Sequence, residues 1–210
     1  MGVDSEKVVP SSPFTPGPSI VYFITHPEVE INPRVPVPEW GLSELGEQRM
    51  RSFRCNWMAR LGAVYASSEK KARMSAMILA ETAGFSRKAV RTCPDLGENI
   101  RTATGYLPPE EFEMTASLFF KHPKEEIRGW ESASHAQKRI INAVAGVLER
   151  KIVGDVAICS HGAVGALLLC HLKGVRIDRT MDQPRNGGGN YFAFDSESKT
   201  VFHGWRAFEE

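Results

Sequence analysis

The alternation of short strand-forming runs with helical stretches constrains this chain more than any other feature. Ser19–Thr25 (SIVYFIT), Ala63–Ala66, Ala89–Thr92 and Asp155–Ser160 (DVAICS) read as strands. Helical period marks 43–61, opening on Ser43 as N-cap, and 69–83, where Ala72, Ala76, Leu79, Ala80 and Ala83 share a stripe that Gly84 stops. It returns at 110–120 after Pro108-Pro109, at 134–151 with Ser134 and Gln137 at capping-box spacing, and at 163–172, which is strongly apolar. Strands joined through helices need crossover connections, and crossovers give a mainly parallel sheet covered on both faces. The expected class is therefore α/β, a three-layer α/β/α sandwich with a mainly parallel central sheet. Tyr191–Phe194 and Thr200–Trp205 are expected to add a terminal strand pair, and the glycine run at 186–190 (NGGGN) a turn or mobile loop. Residues 1–18, rich in Pro and Ser, read as an extended or disordered leader, and 19–210 as a single domain.

Charge narrows the function. The 26 basic and 25 acidic side chains leave a formal net charge of +1, so no global field favours nucleic acid or an anionic membrane. Any anion site must be local. Cys55, Cys93, Cys159 and Cys170 show no CxxC spacing, which argues against a zinc ribbon or redox dithiol; they read as reduced core thiols of a cytoplasmic protein. No apolar run approaches the roughly 18 residues of a membrane span, and the opening residues lack a secretory pattern.

Chemistry-bearing residues gather at three strand ends. VYFITHPEVEIN ends a strand on Thr25-His26 and then turns polar through Glu28, Glu30 and Asn32. VYASSEKKARMSA passes from a strand into a helix start carrying Lys70 and Lys71. VAICSHGAVGALLL passes through Ser160-His161-Gly162 into another. Carboxyl ends of parallel strands are where open α/β sheets bind ligands, and helix N-termini offer free amides to anions. Taken singly, a histidine at a strand end reads as a loop residue, and SSEKKA as a solvated helix start. Together, two histidines, a lysine and two helix starts suit a phosphate ester. A metal site from His26, Glu28, Glu30 and His161 lacks a compact ligand spacing.

In sequence order these stretches resemble the histidine phosphatase superfamily, the phosphoglycerate mutase-like fold. Its opening Arg-His-Gly-Glu-Thr-Glu-x-Asn corresponds to Thr25-His26-Pro27-Glu28-Val29-Glu30-Ile31-Asn32, and its Leu-Thr-x-Leu-Gly to Leu42-Ser43-Glu44-Leu45-Gly46. Its second basic motif falls on Tyr65–Ala76, its Leu-x-Glu on Leu96-Gly97-Glu98, and its Gly-Glu-Ser on the Gly129-Trp130-Glu131-Ser132 stretch. Ser-His-Gly is intact at Ser160-His161-Gly162. The resemblance implies phosphoryl transfer in two steps. His26 would be the nucleophile that becomes phosphohistidine, Glu98 the general acid and then base, and His161 a catalytic partner. Thr25, Asn32, Lys71 and the Gly162 and Ala163 amides would hold the phosphate. It implies no metal or other cofactor, and a small phosphorylated molecule as partner; a homodimer is compatible with it. The departures fall on phosphate-binding positions. Thr25 stands where the family has arginine, Pro27 where it has glycine, and Lys71 where it has a second arginine. Each lost donor typically costs ~10²–10³ in rate. Two readings follow: a phosphatase acting through His26, or a non-catalytic member that binds a phosphorylated or other anionic ligand. Arg34, Arg101 and Arg185 are candidate replacement cations, and Trp130 a candidate aromatic contact near the site.

Overall fold

Strand-forming sequence sits at six places along the chain, and all six pair into one sheet. In the computed structural model, which describes residues 19–150 and 152–210, these are β1 (Ile20–Thr25), β2 (Leu61–Ser67), β3 (Arg91–Cys93), β4 (Asp155–Ser160), β5 (Asn190–Asp195) and β6 (Val201–Ala207). The leader expected at 1–18 lies outside the described residues. The order across the sheet is β3-β2-β4-β1-β5-β6. The first four strands are parallel, and β5 and β6 add an antiparallel edge. The parallel strands are joined through helices, as the alternation in sequence requires.

The period-two alternation of side chains assigns each residue to a layer. Val21, Phe23, Tyr65, Val156 and Ile158 face one core, filled by α3 (Pro109–Lys121), α4 (Ala133–Leu148) and α5 (Gly162–Leu172). Tyr22, Ile24, Val64, Ala66, Ala157 and Cys159 face the other, filled by α1 (Glu44–Ser52) and α2 (Lys70–Thr82). Nearly every residue of β1 and β4 is buried, so both faces of the central strands are covered. Among the described residues no helix is long and apolar enough to cross a membrane.

Two boundaries differ from the sequence reading. The helix expected over 43–61 stops at Ser52. Phe53 turns to an extended conformation, and its ring stacks on Phe208 with centroids 4.1 Å apart. Trp57 follows in a short 3-10 turn and stacks on Tyr22 at 3.9 Å. Burying two aromatic rings outweighs continuing an exposed helix. The second difference is at α4, whose N-cap is Ser132, accepting from the His135 amide at 3.3 Å, and not Ser134 with Gln137. The Ser134 amide is instead bound by the Pro123 carbonyl, inside the first turn.

Candidate active site

Strand register brings the two motif histidines together. Thr25 pairs with Ser160 across the parallel β1–β4 ladder, so His26 and His161 leave the sheet side by side. Their ring centroids lie 5.2 Å apart at 71°. β2 runs parallel to β4 on the other side, with Ala66 opposite Cys159, which delivers Ser67 to His161: Oγ and Nε2 are 2.8 Å apart. Three strand ends thus meet at the carboxyl edge of the sheet.

The tautomer of His26 follows from one contact. Nδ1 is 2.8 Å from the Pro27 carbonyl oxygen, which can only accept. Nδ1 therefore carries the proton, and Nε2 keeps its lone pair. Burial, with the nearby Lys71 charge, lowers the His26 pKa from 6.5 to about 4. The ring is neutral at neutral pH, the state a nitrogen nucleophile needs. His26 remains partly accessible and lines a cavity of about 770 Å³ together with Glu98, Gly162 and Ala163.

His161 is fully buried, and burial holds its pKa well below the ordinary histidine value. Its Nδ1 is buried without a partner. Glu98 caps the start of α5. Oε1 accepts from the Val164 and Asn99 amides, each at 3.1 Å, and Oε2 from Ala163 at 3.3 Å. Burial nonetheless raises the carboxyl above its ordinary range, more than Arg101 lowers it. Arg139 fixes this loop by donating to the Asp95, Gly97 and Glu98 carbonyls, while pairing with Glu131 at 2.8 Å. The Gly129–Ser132 motif therefore supports Glu98 from behind, and Trp130 forms part of the cavity wall.

The expected phosphate-holding residues are mostly engaged elsewhere. Lys71 is buried; its ammonium donates to the Val37 carbonyl at 3.0 Å and pairs with the Glu69 carboxylate. Burial pushes the Glu69 carboxyl up, but His161 and Lys71 outweigh it and hold the pKa at about 2. Glu69 also accepts from the Glu98 amide at 2.9 Å and comes within 3.4 Å of His161 Nε2. The Ala163 amide serves Glu98, as described above. Thr25 is fully buried; its hydroxyl donates to Gln183 Oε1 at 2.7 Å. Asn32 is exposed, and its carboxamide oxygen accepts from the Arg34 amide at 3.0 Å, away from the cavity. Of the candidate replacement cations, Arg101 and Arg185 both line the cavity; Arg185 pairs with Glu113 at 2.7 Å, and Arg101 stacks over Phe112 at 4.9 Å.

Two residues the sequence reading passed over shape the site. Glu69 stands two positions before Lys71, just ahead of the first turn of α2, a spacing that signals proximity without saying which way either side chain points. Gln183 lies in an irregular loop and carries no sequence signal at all.

An α/β sheet that brings two histidines from parallel strand ends together with a glutamate held at the start of α5 defines a histidine-centred class of site. The histidine phosphatase superfamily (branch 1) model matches residues 21–203, and the chain belongs to that family. Comparison with curated protein sequences gives no match. Among solved structures, a mycobacterial glucosyl-3-phosphoglycerate phosphatase in complex with inorganic phosphate superposes with a TM-score of 0.68 at 17% identity, over 90% of this chain and 94% of that one. The YhfR protein of Bacillus stearothermophilus gives 0.67 at 19%, over 89% and 95%. The alpha-ribazole phosphatase of Shigella flexneri gives 0.66 at 16%, over 90% and 95%. At these identities the likeness is one of fold.

Proposed function

We propose that this protein hydrolyses phosphate monoesters through a phosphohistidine on His26. The observation that carries the reading is the Nδ1–Pro27 hydrogen bond, which leaves the Nε2 lone pair of a neutral ring free in a cavity it shares with Glu98. In the first step Nε2 attacks phosphorus, the ester P–O bond breaks, and Glu98 gives its proton to the departing alcohol. In the second, Glu98 as carboxylate takes a proton from water, water oxygen bonds to phosphorus, and the N–P bond breaks to release phosphate. The raised Glu98 carboxyl suits the first role, and Oε2, with a single backbone donor, is the oxygen free to carry the proton.

The test is incubation with a reactive aryl phosphate, followed by trapping under alkaline conditions. Phosphate is expected on residue 26, and both the label and turnover are expected to vanish in His26→Ala. Unlabelled wild-type protein would sink the proposal. One observation favours a second reading, a binding protein without turnover: the Lys71 ammonium is neutralised by Glu69, and Thr25 replaces a guanidinium. Saturable phosphate binding with no phosphoenzyme would select it.

A further inference from the structure

The position before His26 bears a hydroxyl where the family bears an arginine, yet that hydroxyl is not idle. It donates to Gln183 Oε1 at 2.7 Å, and Asn190 Nδ2 donates to the same oxygen at 3.0 Å. Thr25 is itself fixed, because its Oγ1 also accepts from the Asn190 amide at 3.0 Å. With Oε1 turned toward these two groups, Nε2 points the other way. There it lies over the start of α5: a methyl placed on Gly162 would come within 2.5 Å of it. Gln183 lines the same cavity as His26, Glu98 and Gly162.

We propose that Gln183 is an anion-binding residue of this site, a neutral donor aimed by Thr25 at the phosphoryl oxygens in place of the missing guanidinium. The proposal rests on the functional reading above and extends it to a residue outside every family motif. Two independent features of the cavity support it. Asn99, only 4% exposed, lines the cavity with its Nδ2 buried and without an acceptor. A buried donor left unpaired costs about 1–3 kcal/mol, so an acceptor arriving from outside the chain is the natural complement. The Arg101 guanidinium lines the same cavity and, among the described residues, has no carboxylate within ion-pairing distance. Gln183, Asn99 and Arg101 together line the cavity that His26 opens into, while Lys71 is held by Glu69.

The discriminating variant is Gln183→Glu. It keeps the oxygen that Thr25 and Asn190 require and replaces only the donor facing the cavity. Titration calorimetry of the full chain with inorganic phosphate is expected to show affinity weakened about tenfold or more, with the thermal midpoint unchanged. The loss is expected to persist at about 1 M salt, where the Debye length is about 3 Å and long-range repulsion is screened. Thr25→Val leaves Gln183 in place but removes the group that aims it; its phosphate affinity is expected to fall about three- to tenfold, and it decides the matter if Gln183→Glu does not fold. Affinity within twofold of wild type in the folded variants would overturn the proposal, as would wild-type protein that binds no phosphate. A wild type that binds phosphate in a Gln183-dependent way but forms no phosphohistidine would instead overturn hydrolysis and leave the clamp standing.

Discussion

At the scale of single residues, the site differs from a plain phosphate pocket in how its charges are already spent. Lys71 and Glu69 form a buried pair, so the ammonium offers an incoming anion little net field. Replacing Glu69 by Gln keeps Oε1 for the Glu98 amide while releasing Lys71. The variant is expected to lose on the order of 3 kcal/mol of stability, because a buried charge is left uncompensated, and yet to bind phosphate more tightly. Thermal melts with and without phosphate check this: the phosphate-induced shift should exceed that of wild type. A second expectation concerns rate. His26 must be neutral and Glu98 protonated, so kcat/KM should follow a bell. Its acid limb should fall near pH 4, and its alkaline limb above the ordinary range of a glutamic acid. Glu98→Gln should abolish the alkaline limb along with most turnover. His26, Glu98 and His161 are legible in sequence because each sits in a short contiguous motif. Gln183 and Glu69 are not, because their roles depend on where a loop folds back and where a side chain turns.

Among the elements, the loop from Asn186 to Asn190 backs the main chain of His26. Gly187, Gly188 and Gly189 all have positive φ. The Gly189 amide donates to the His26 carbonyl at 3.1 Å, and a methyl on Gly188 would lie 2.3 Å from that same oxygen. Gly188→Ala therefore meets backbone it cannot displace cheaply, in a conformation L-residues avoid. It is expected to cost more than about 1 kcal/mol in urea denaturation and to reduce phosphate affinity, whereas Gly84→Ala, where nothing lies within reach of the new methyl, should cost only its φ penalty. Element types were legible from period and capping: the strands at 19–25 and 155–160 and the helices at 69–83 and 163–172 appear within two residues of their expected bounds. The end of α1 was not, since Phe53 and Trp57 leave the helix to fill a core that local periodicity cannot reveal. The capping-box spacing at Ser134 misled by two residues for a similar reason: Ser132 offers the same chemistry.

For the whole molecule, the price of assembling this site falls on stability below neutral pH. His26 and His161 both have depressed pKa values in the folded state. The unfolded chain therefore binds protons that the folded chain refuses. Their contribution is fully present above about pH 6.5 and is lost as pH falls toward 4, with His26 alone accounting for about 3 kcal/mol. Glu98, raised when folded, works in the opposite sense above its ordinary pKa. Denaturation midpoints between pH 7 and about 4.5 should drop, and His26→Asn should flatten the slope; an equal slope in that variant would refute the assignment. The sheet order carries one further consequence. β1, which ends just before His26, has β4 on one side and β5 on the other. On the ribosome, β1 is made early and must wait with one edge bare until Ser160 and the other until Asp195 has emerged, so nascent chains of this protein are expected to lean on chaperones until synthesis is nearly done.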